Sequence, residues 1–87
     1  MSLAVYMERK SKLNKRFDKQ FGSFVKKMRV EKGWSQADLA SRISNNYQNI
    51  SRIERGELTP TIFWCYKLAD VFEIEMEDFI KRMDFQF

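Results

Sequence analysis

The sequence predicts an all-α fold, a single small helical bundle, and three observations carry that expectation. Three segments place apolar residues at the helical spacing i, i+3, i+4, i+7. They are Phe21, Phe24, Val25 and Met28; Cys65, Leu68, Ala69 and Phe72; and Met76, Phe79, Ile80 and Met83. Pro60 is the only proline and glycines are few, so little in the chain interrupts a helix. Between the first two segments, Ser35 to Gly56 reads SQADLASRISNNYQNISRIERG, two short helices joined by a tight turn.

The 87 residues allow one domain, near the size at which a single core is marginal. The first helix is carried by Phe21 to Met28, and Gly33 can stop it after Lys32, a cation suited to a helix C-terminus. Ser35 starts the second helix. Its hydroxyl can cap free N–H groups, Asp38 completes a capping box, and Trp34 and Leu39 have the spacing of a hydrophobic staple. Leu39, Ala40 and Ile43 face inward. Ser44-Asn45-Asn46 breaks the periodicity. Asparagine tolerates left-handed angles and caps well, so Asn45 is expected to turn the chain and Asn46 to start the third helix. That helix runs from about Tyr47 to Arg55, with Gly56 as its stop. Thr61, just after Pro60, can cap the fourth helix, and Glu75 stands at the start of the fifth.

Composition excludes several classes of function. No run of about twenty apolar residues spans a membrane, and the charged N-terminus lacks the apolar stretch of a signal peptide. A lone cysteine, Cys65, makes no internal disulfide, which fits a reducing cytoplasm. There is no histidine, so the commonest general base is missing and a structural zinc site cannot be assembled. Cys65 lies on an apolar stripe and reads as a small buried hydrophobe rather than a nucleophile. No catalytic residues, metal or cofactor are expected, and the chain is too short for a second, ligand-sensing domain.

The net charge of +4 is unevenly placed. Residues 1–20 hold six basic residues against Glu8 and Asp18, while in residues 21–87 basic and acidic groups balance. The expected organisation is a basic N-terminal arm, residues 1–20, before a neutral domain, residues 21–87. Such an arm favours phosphate backbones or acidic surfaces; a solvated tail is the other reading.

On a wheel of roughly 100° per residue, Ile50, Ile53 and Glu54 of the third helix fall on one side and face the core. Gln48, Arg52 and Arg55 fall opposite, flanked by Asn49 and Ser51, with Tyr47 at the border. This outer face has an amide and two guanidinium groups and no acid. Gln can bond adenine twice in the major groove, and Arg can do the same with guanine. An ordinary solvated face is the alternative if the helix is considered alone. Glu54 on the inner side costs free energy unless paired. Arg29, at the edge of the first stripe, is its expected bidentate partner.

These residues resemble the phage repressor and Cro family of helix-turn-helix proteins, also called the Xre family, over about residues 21–82. The similarity runs through Gly33-Trp34-Ser35-Gln36, Leu39-Ala40, Ile43, Ile50-Ser51 and Arg52-Ile53-Glu54-Arg55-Gly56, then Leu68-Ala69 and Met76 to Phe79. The resemblance implies a five-helix, lambda-repressor-like DNA-binding domain with the helix-turn-helix at helices 2 and 3, and binding to operator DNA as symmetric dimers. Gln36 matches a glutamine that touches phosphate and braces the reading helix. Tyr47, Gln48 and Arg52 match base-reading positions. Asn46, Asn49 and Ser51 match supporting positions, which Arg55 joins from the wheel. Arg29 and Glu54 match a buried ion pair of some members.

Three departures stand out. Ser44-Asn45 occupies a turn that usually carries glycine and an apolar residue, so a looser turn is expected. Glu57 lies in a loop that is often basic. Glu75 caps the fifth helix where serine is common, and its carboxylate suits a helix N-terminus.

The function expected is that of a cytoplasmic, sequence-specific transcriptional regulator, a dimeric repressor or autoregulator whose partner is double-stranded DNA. Phe79, Met83, Phe85 and Phe87 are candidate dimer contacts, because aromatic residues crowd this terminus; folding back onto the subunit's own core is the alternative. A competing function is a protein-interaction module on the same fold, an antitoxin or co-regulator, whose acidic Glu73, Glu75, Glu77 and Asp78 meet a toxin or another basic partner.

Overall fold

The structure, a computed structural model, describes residues 2–85. Among them are five α-helices and no strand: α1 (Leu3–Glu31), α2 (Gln36–Arg42), α3 (Tyr47–Glu54), α4 (Ile62–Val71) and α5 (Met76–Met83). α1 packs against α3 and α5, α2 against α3, and α4 against α5. The core gathers one stripe from each helix: Phe21, Val25 and Met28; Leu39 and Ala40; Ile50 and Ile53; Leu68 and Ala69; Phe79 and Met83. Ile43 and Phe72, which end α2 and α4, complete it.

Gly22 lets α1 approach α3 closely. A Cβ there would collide with the Ile53 carbonyl oxygen and stand 2.8 Å from that of Glu54. The contact is backbone on backbone, so no side chain can yield to make room.

Side chains start four of the helices. Ser2, Ser35, Asn46 and Thr61 accept from the amides of Val5, Asp38, Asn49 and Trp64. The box at Ser35 is complete, with Asp38 Oδ2 accepting from the Ser35 amide at 2.8 Å. Glu75 precedes α5 but makes no capping hydrogen bond, contrary to expectation. The negative charge at that helix start comes from Glu77 and Asp78 in its first turn.

Four helices end in the same motif, in which a left-handed residue after the cap lets two amides bond back to the last carbonyls. Gly33 and Gly56 serve α1 and α3. Ser44 serves α2 with φ +55°, and Glu73 serves α4 with φ +58°. The left-handed residue of the turn is therefore Ser44, not Asn45. α2 ends at Arg42, and Asn45 follows Ser44 in the position whose amide bonds back to the Ala40 carbonyl at 2.8 Å. The turn is not loose. Asn45 Oδ1 accepts from the Asn46 amide at 2.8 Å and from Asn49 Nδ2 at 2.9 Å, a polar brace where an apolar anchor is usual.

Three other expectations change. The 1–20 segment is helical and continuous with the first core helix, since from Leu3 onward it is part of α1, started by Ser2 and supported by the Glu8–Lys12 pair at 3.2 Å. Ile80 is 52% exposed rather than in the core, since α1 covers the Phe79 and Met83 side of α5. Phe79 and Met83 are buried within the subunit, so they do not lie on its surface as dimer contacts. Phe79 meets the rings of Phe21 and Phe24 at 6.0 and 5.0 Å. Phe85 is half-buried and packs edge-on against Phe17 at 5.3 Å, so it too folds back onto α1. Phe87 lies outside the described residues.

Candidate nucleic-acid interface

The outer face of α3 is built from behind. Ile50 and Ile53 are fully buried, and next to them Arg29 grips Glu54 with Nε to Oε2 at 2.7 Å and Nη2 to Oε1 at 3.0 Å. The side chains are only 11% and 3% exposed, so water does little to weaken the pair. Arg29 Nη1 also donates to the Trp34 carbonyl at 2.7 Å, and Gln36 Nε2 donates to Glu54 Oε1 at 3.2 Å. One carboxylate thus ties α3 to α1 and to the first residue of α2. The hydrogen bond from Glu54 pushes the Arg29 guanidinium above its already high ordinary value, outweighing the opposing effect of burial.

α2 is steadied from its own side. Arg42 lies over the Trp34 ring at 4.2 Å, and that ring stacks on Phe72 at 5.9 Å. Lys67 of α4 donates to the Ile43 carbonyl at 3.2 Å, where α2 ends. Two helices and the turn between them therefore behave as one rigid unit, which positions side chains better than a free helix does.

On the solvent side, Tyr47, Gln48 and Arg52 are exposed. Gln48 and Arg52 have no hydrogen-bond or ion-pair partner among the described residues. Asn46 is exposed with its oxygen committed to the cap, while Asn49 and Ser51 are half-buried. Arg55 differs from Arg52. Its Nη1 donates to Ser51 Oγ at 2.6 Å and its Nε pairs with Glu57, which turns it along the helix end. The structure leaves Tyr47, Gln48 and Arg52 exposed on α3, turns Gln36 toward Glu54 behind that helix, and separates a free guanidinium from a tethered one.

Sequence reasoning missed the brace made by the Asn45 side chain, and it missed Arg42 and Gln20. Gln20 Nε2 donates to the Met83 carbonyl at 2.7 Å and the Asp84 carbonyl at 2.9 Å, closing the end of α5. No local pattern marks a bond between residues so far apart in the chain. Asn45 was legible in principle, because an Asn three or four residues before a helical Asn or Gln is in reach of it.

Among the described residues, no group of acidic, cysteine or histidine side chains is placed to hold a metal. Burial pushes the Cys65 thiol up, away from the reactive thiolate. Among the described residues, no helix is long and apolar enough to cross a membrane.

Comparison with known proteins identifies the family and the fold. Residues 25–79 match the helix-turn-helix family. The chain is 32% identical over 54 residues to YgzD of Bacillus subtilis, an uncharacterised helix-turn-helix-type transcriptional regulator, covering 62% of this chain and 82% of that one. It is 30% identical over 66 residues to y4dJ of Sinorhizobium fredii, another such regulator, covering 76% and 86%. In structure it is similar to the restriction–modification controller protein C.AhdI of Aeromonas hydrophila, with TM-score 0.67 and 27% identity over 71% of this chain and 90% of that one. It also shares the fold of the clp gene regulator ClgR of Corynebacterium glutamicum, with TM-score 0.70 and 17% identity over 76% and 70%.

Proposed function

The chain belongs to the helix-turn-helix (Xre) family of DNA-binding transcriptional regulators, and from that premise we propose that it is a sequence-specific operator binder acting as a homodimer on a palindromic site. Two copies of α3 then enter successive major grooves about one helical turn apart. Gln48 and Arg52 bond base edges, with Tyr47 at the border of the groove. Gln36, Asn46, Asn49 and Ser51 support that position and contact phosphates, as does Arg55 from its tether on Ser51 and Glu57. Binding over a promoter represses by occlusion, and its place of action is the cytoplasm.

One observation carries the reading. Gln48 and Arg52 stand exposed and unpartnered on a helix whose opposite side is locked by the Arg29–Glu54–Gln36 network. The helix that carries them is already fixed, so on meeting a base only the freedom of the side chains themselves is lost.

The test is binding to DNA from upstream of the chain's own gene and to sites selected from a random library, with random competitor at about 150 mM salt. A complex about a thousandfold tighter than with random DNA is expected. Binding that shows no sequence preference and vanishes with salt would favour the competing protein-interaction function, for which the exposed Glu73, Glu75, Glu77 and Asp78 are the supporting feature.

A further inference from the structure

α1 carries an unbroken strip of positive charge. At roughly 100° per residue, the pole opposite the buried Phe21 is ringed, between positions 12 and 27, by Lys12, Lys15, Arg16, Lys19, Lys26 and Lys27, all within about 60° of it. Ser23 is the only other residue on that third of the helix. All of them are exposed. Glu8, one turn before the strip, pairs with Lys12 at 3.2 Å, and Arg16 lies over the Phe85 ring at 5.6 Å. Lys15, Lys19, Lys26 and Lys27 have no hydrogen-bond or ion-pair partner among the described residues.

This arrangement works against the helix that carries it. Lys12 with Arg16, and Lys15 with Lys19, are like charges four residues apart, which weaken a helix about as much as a Glu–Lys pair supports it. A face that served only solubility would interleave acids, as α5 does with Glu77 and Lys81 at 3.1 Å. Six cations without an acid among them fit a polyanion.

The strip also borders the reading head. A Cβ at Gly56 would stand 3.0 Å from Lys19 Cγ and 3.1 Å from its Cα, so the end of α3 rests against the middle of the strip. Gly22, which meets the α3 carbonyls, lies just beyond the edge formed by Lys15, Lys19 and Lys26. The segment from Gly56 to Pro60 has no cation of its own, and Arg55 before it is paired with Glu57. Free positive charge at this end of α3 therefore comes from α1. N-terminal to Phe17, where Phe85 covers it, α1 runs on for about four turns, and the molecule is 46 Å long against 26 and 20 Å in its other directions. The strip begins on this overhang and runs past the end of α3, about 23 Å in all.

We propose that the strip is a second DNA contact, lying along the phosphates that border the groove occupied by α3. It reads no bases. Its cations release counterions condensed on the duplex, which adds affinity for every sequence and holds the reading helix in register. This deepens the proposed function and rests on its placement of α3 in a major groove; dimerisation plays no part.

Fluorescence anisotropy of the full chain on a random-sequence duplex and on a library-selected site, from about 50 to 200 mM salt, tests it. Lys15→Gln/Lys19→Gln removes two cations from the strip, and Lys81→Gln/Arg82→Gln removes two from α5. The strip pair should flatten the slope of log K against log salt by about 1.8 and weaken binding about tenfold or more, equally on both duplexes. The α5 pair should change both far less. Lys15→Gln/Lys26→Gln, which leaves Lys19 against Gly56, should act like the first pair. Melting temperatures should hold or rise, because repulsion is relieved. Strip variants that only match the α5 pair would reduce the effect to net charge and overturn the proposal. A folded strip variant with an unchanged slope would overturn it too, and leave the strip to an acidic protein or lipid surface. If that variant still prefers the selected site, the proposed function stands without the strip. A wild-type chain that binds both duplexes equally, with the strip still setting the slope, would remove sequence-specific reading and keep the phosphate contact.

Discussion

Arg29 and Glu54 meet through two parallel hydrogen bonds, at 2.7 and 3.0 Å, across the seam between the longest helix and the reading helix. The pair does not simply add stability, because taking two charges out of water offsets much of their attraction. Its effect is to allow one orientation of α3 on α1. Gln36 and the Trp34 carbonyl complete the arrangement, so the same carboxylate and guanidinium also set where α2 begins.

Removing one partner strands the other. Glu54→Ala should destabilise the fold by about 3–5 kcal/mol, whereas Arg29→Met/Glu54→Met should cost clearly less than the single change. Urea unfolding of the three proteins measures this. Equal losses in the single and double variants would mean that packing, not an unpaired charge, sets the cost.

Gly22→Ala reverses the usual rule for helices. In an open helix the change gains about 1 kcal/mol from propensity. Here the added methyl collides with the carbonyls at the end of α3, so a loss of about 2 kcal/mol or more is expected. A stabilised variant in urea would show that α1 and α3 are not in close contact.

Ser44 and Glu73 hold left-handed angles that glycine adopts without strain. Ser44→Gly and Glu73→Gly should each raise stability by about 0.5–1 kcal/mol, and the two gains should add because the sites are on different helices. Melting temperatures that stay level or fall would count against these turn geometries.

Arg52→Ala should cost about 1–3 kcal/mol of discrimination at one base pair of the operator and much less on other sequences. Competition binding against single-base operator variants reads this directly. An equal loss on every sequence would make Arg52 a phosphate contact.

Asp38 links stability to pH. The Ser35 amide, and then its hydroxyl, hold the Asp38 carboxyl below its ordinary value. A carboxyl depressed in this way contributes stability above its unfolded pKa and loses it as pH falls through the folded one. Wild type should therefore melt higher than Asp38→Ala near pH 7, and the gap should close as pH falls to about 2. A gap that persists in acid would mean that the carboxylate charge is not what caps α2.

Ser35 with Asp38, Asn46, Thr61, Gly33 and Gly56 were legible because a helix end depends on residues three or four apart, and the chain states those directly. The same holds for the two sides of α3, where Ile50, Ile53 and Glu54 turn inward and Gln48 and Arg52 outward. Even the partner of Glu54 follows, since a carboxylate on an apolar side needs a cation and Arg29 borders the facing stripe. Periodicity says which side of a helix is apolar but not what covers it or where the cover ends. Ile80, Phe79 and Met83 share one stripe, yet α1 reaches only the last two. Gln20 finds the end of α5, Gly22 admits the α3 carbonyls, and α1 runs on beyond the bundle only because of where distant segments come to rest. Short-range backbone chemistry is thus written in the sequence itself, whereas coverage and close approach are decided by the tertiary structure, in which each helix excludes its neighbours from the same space.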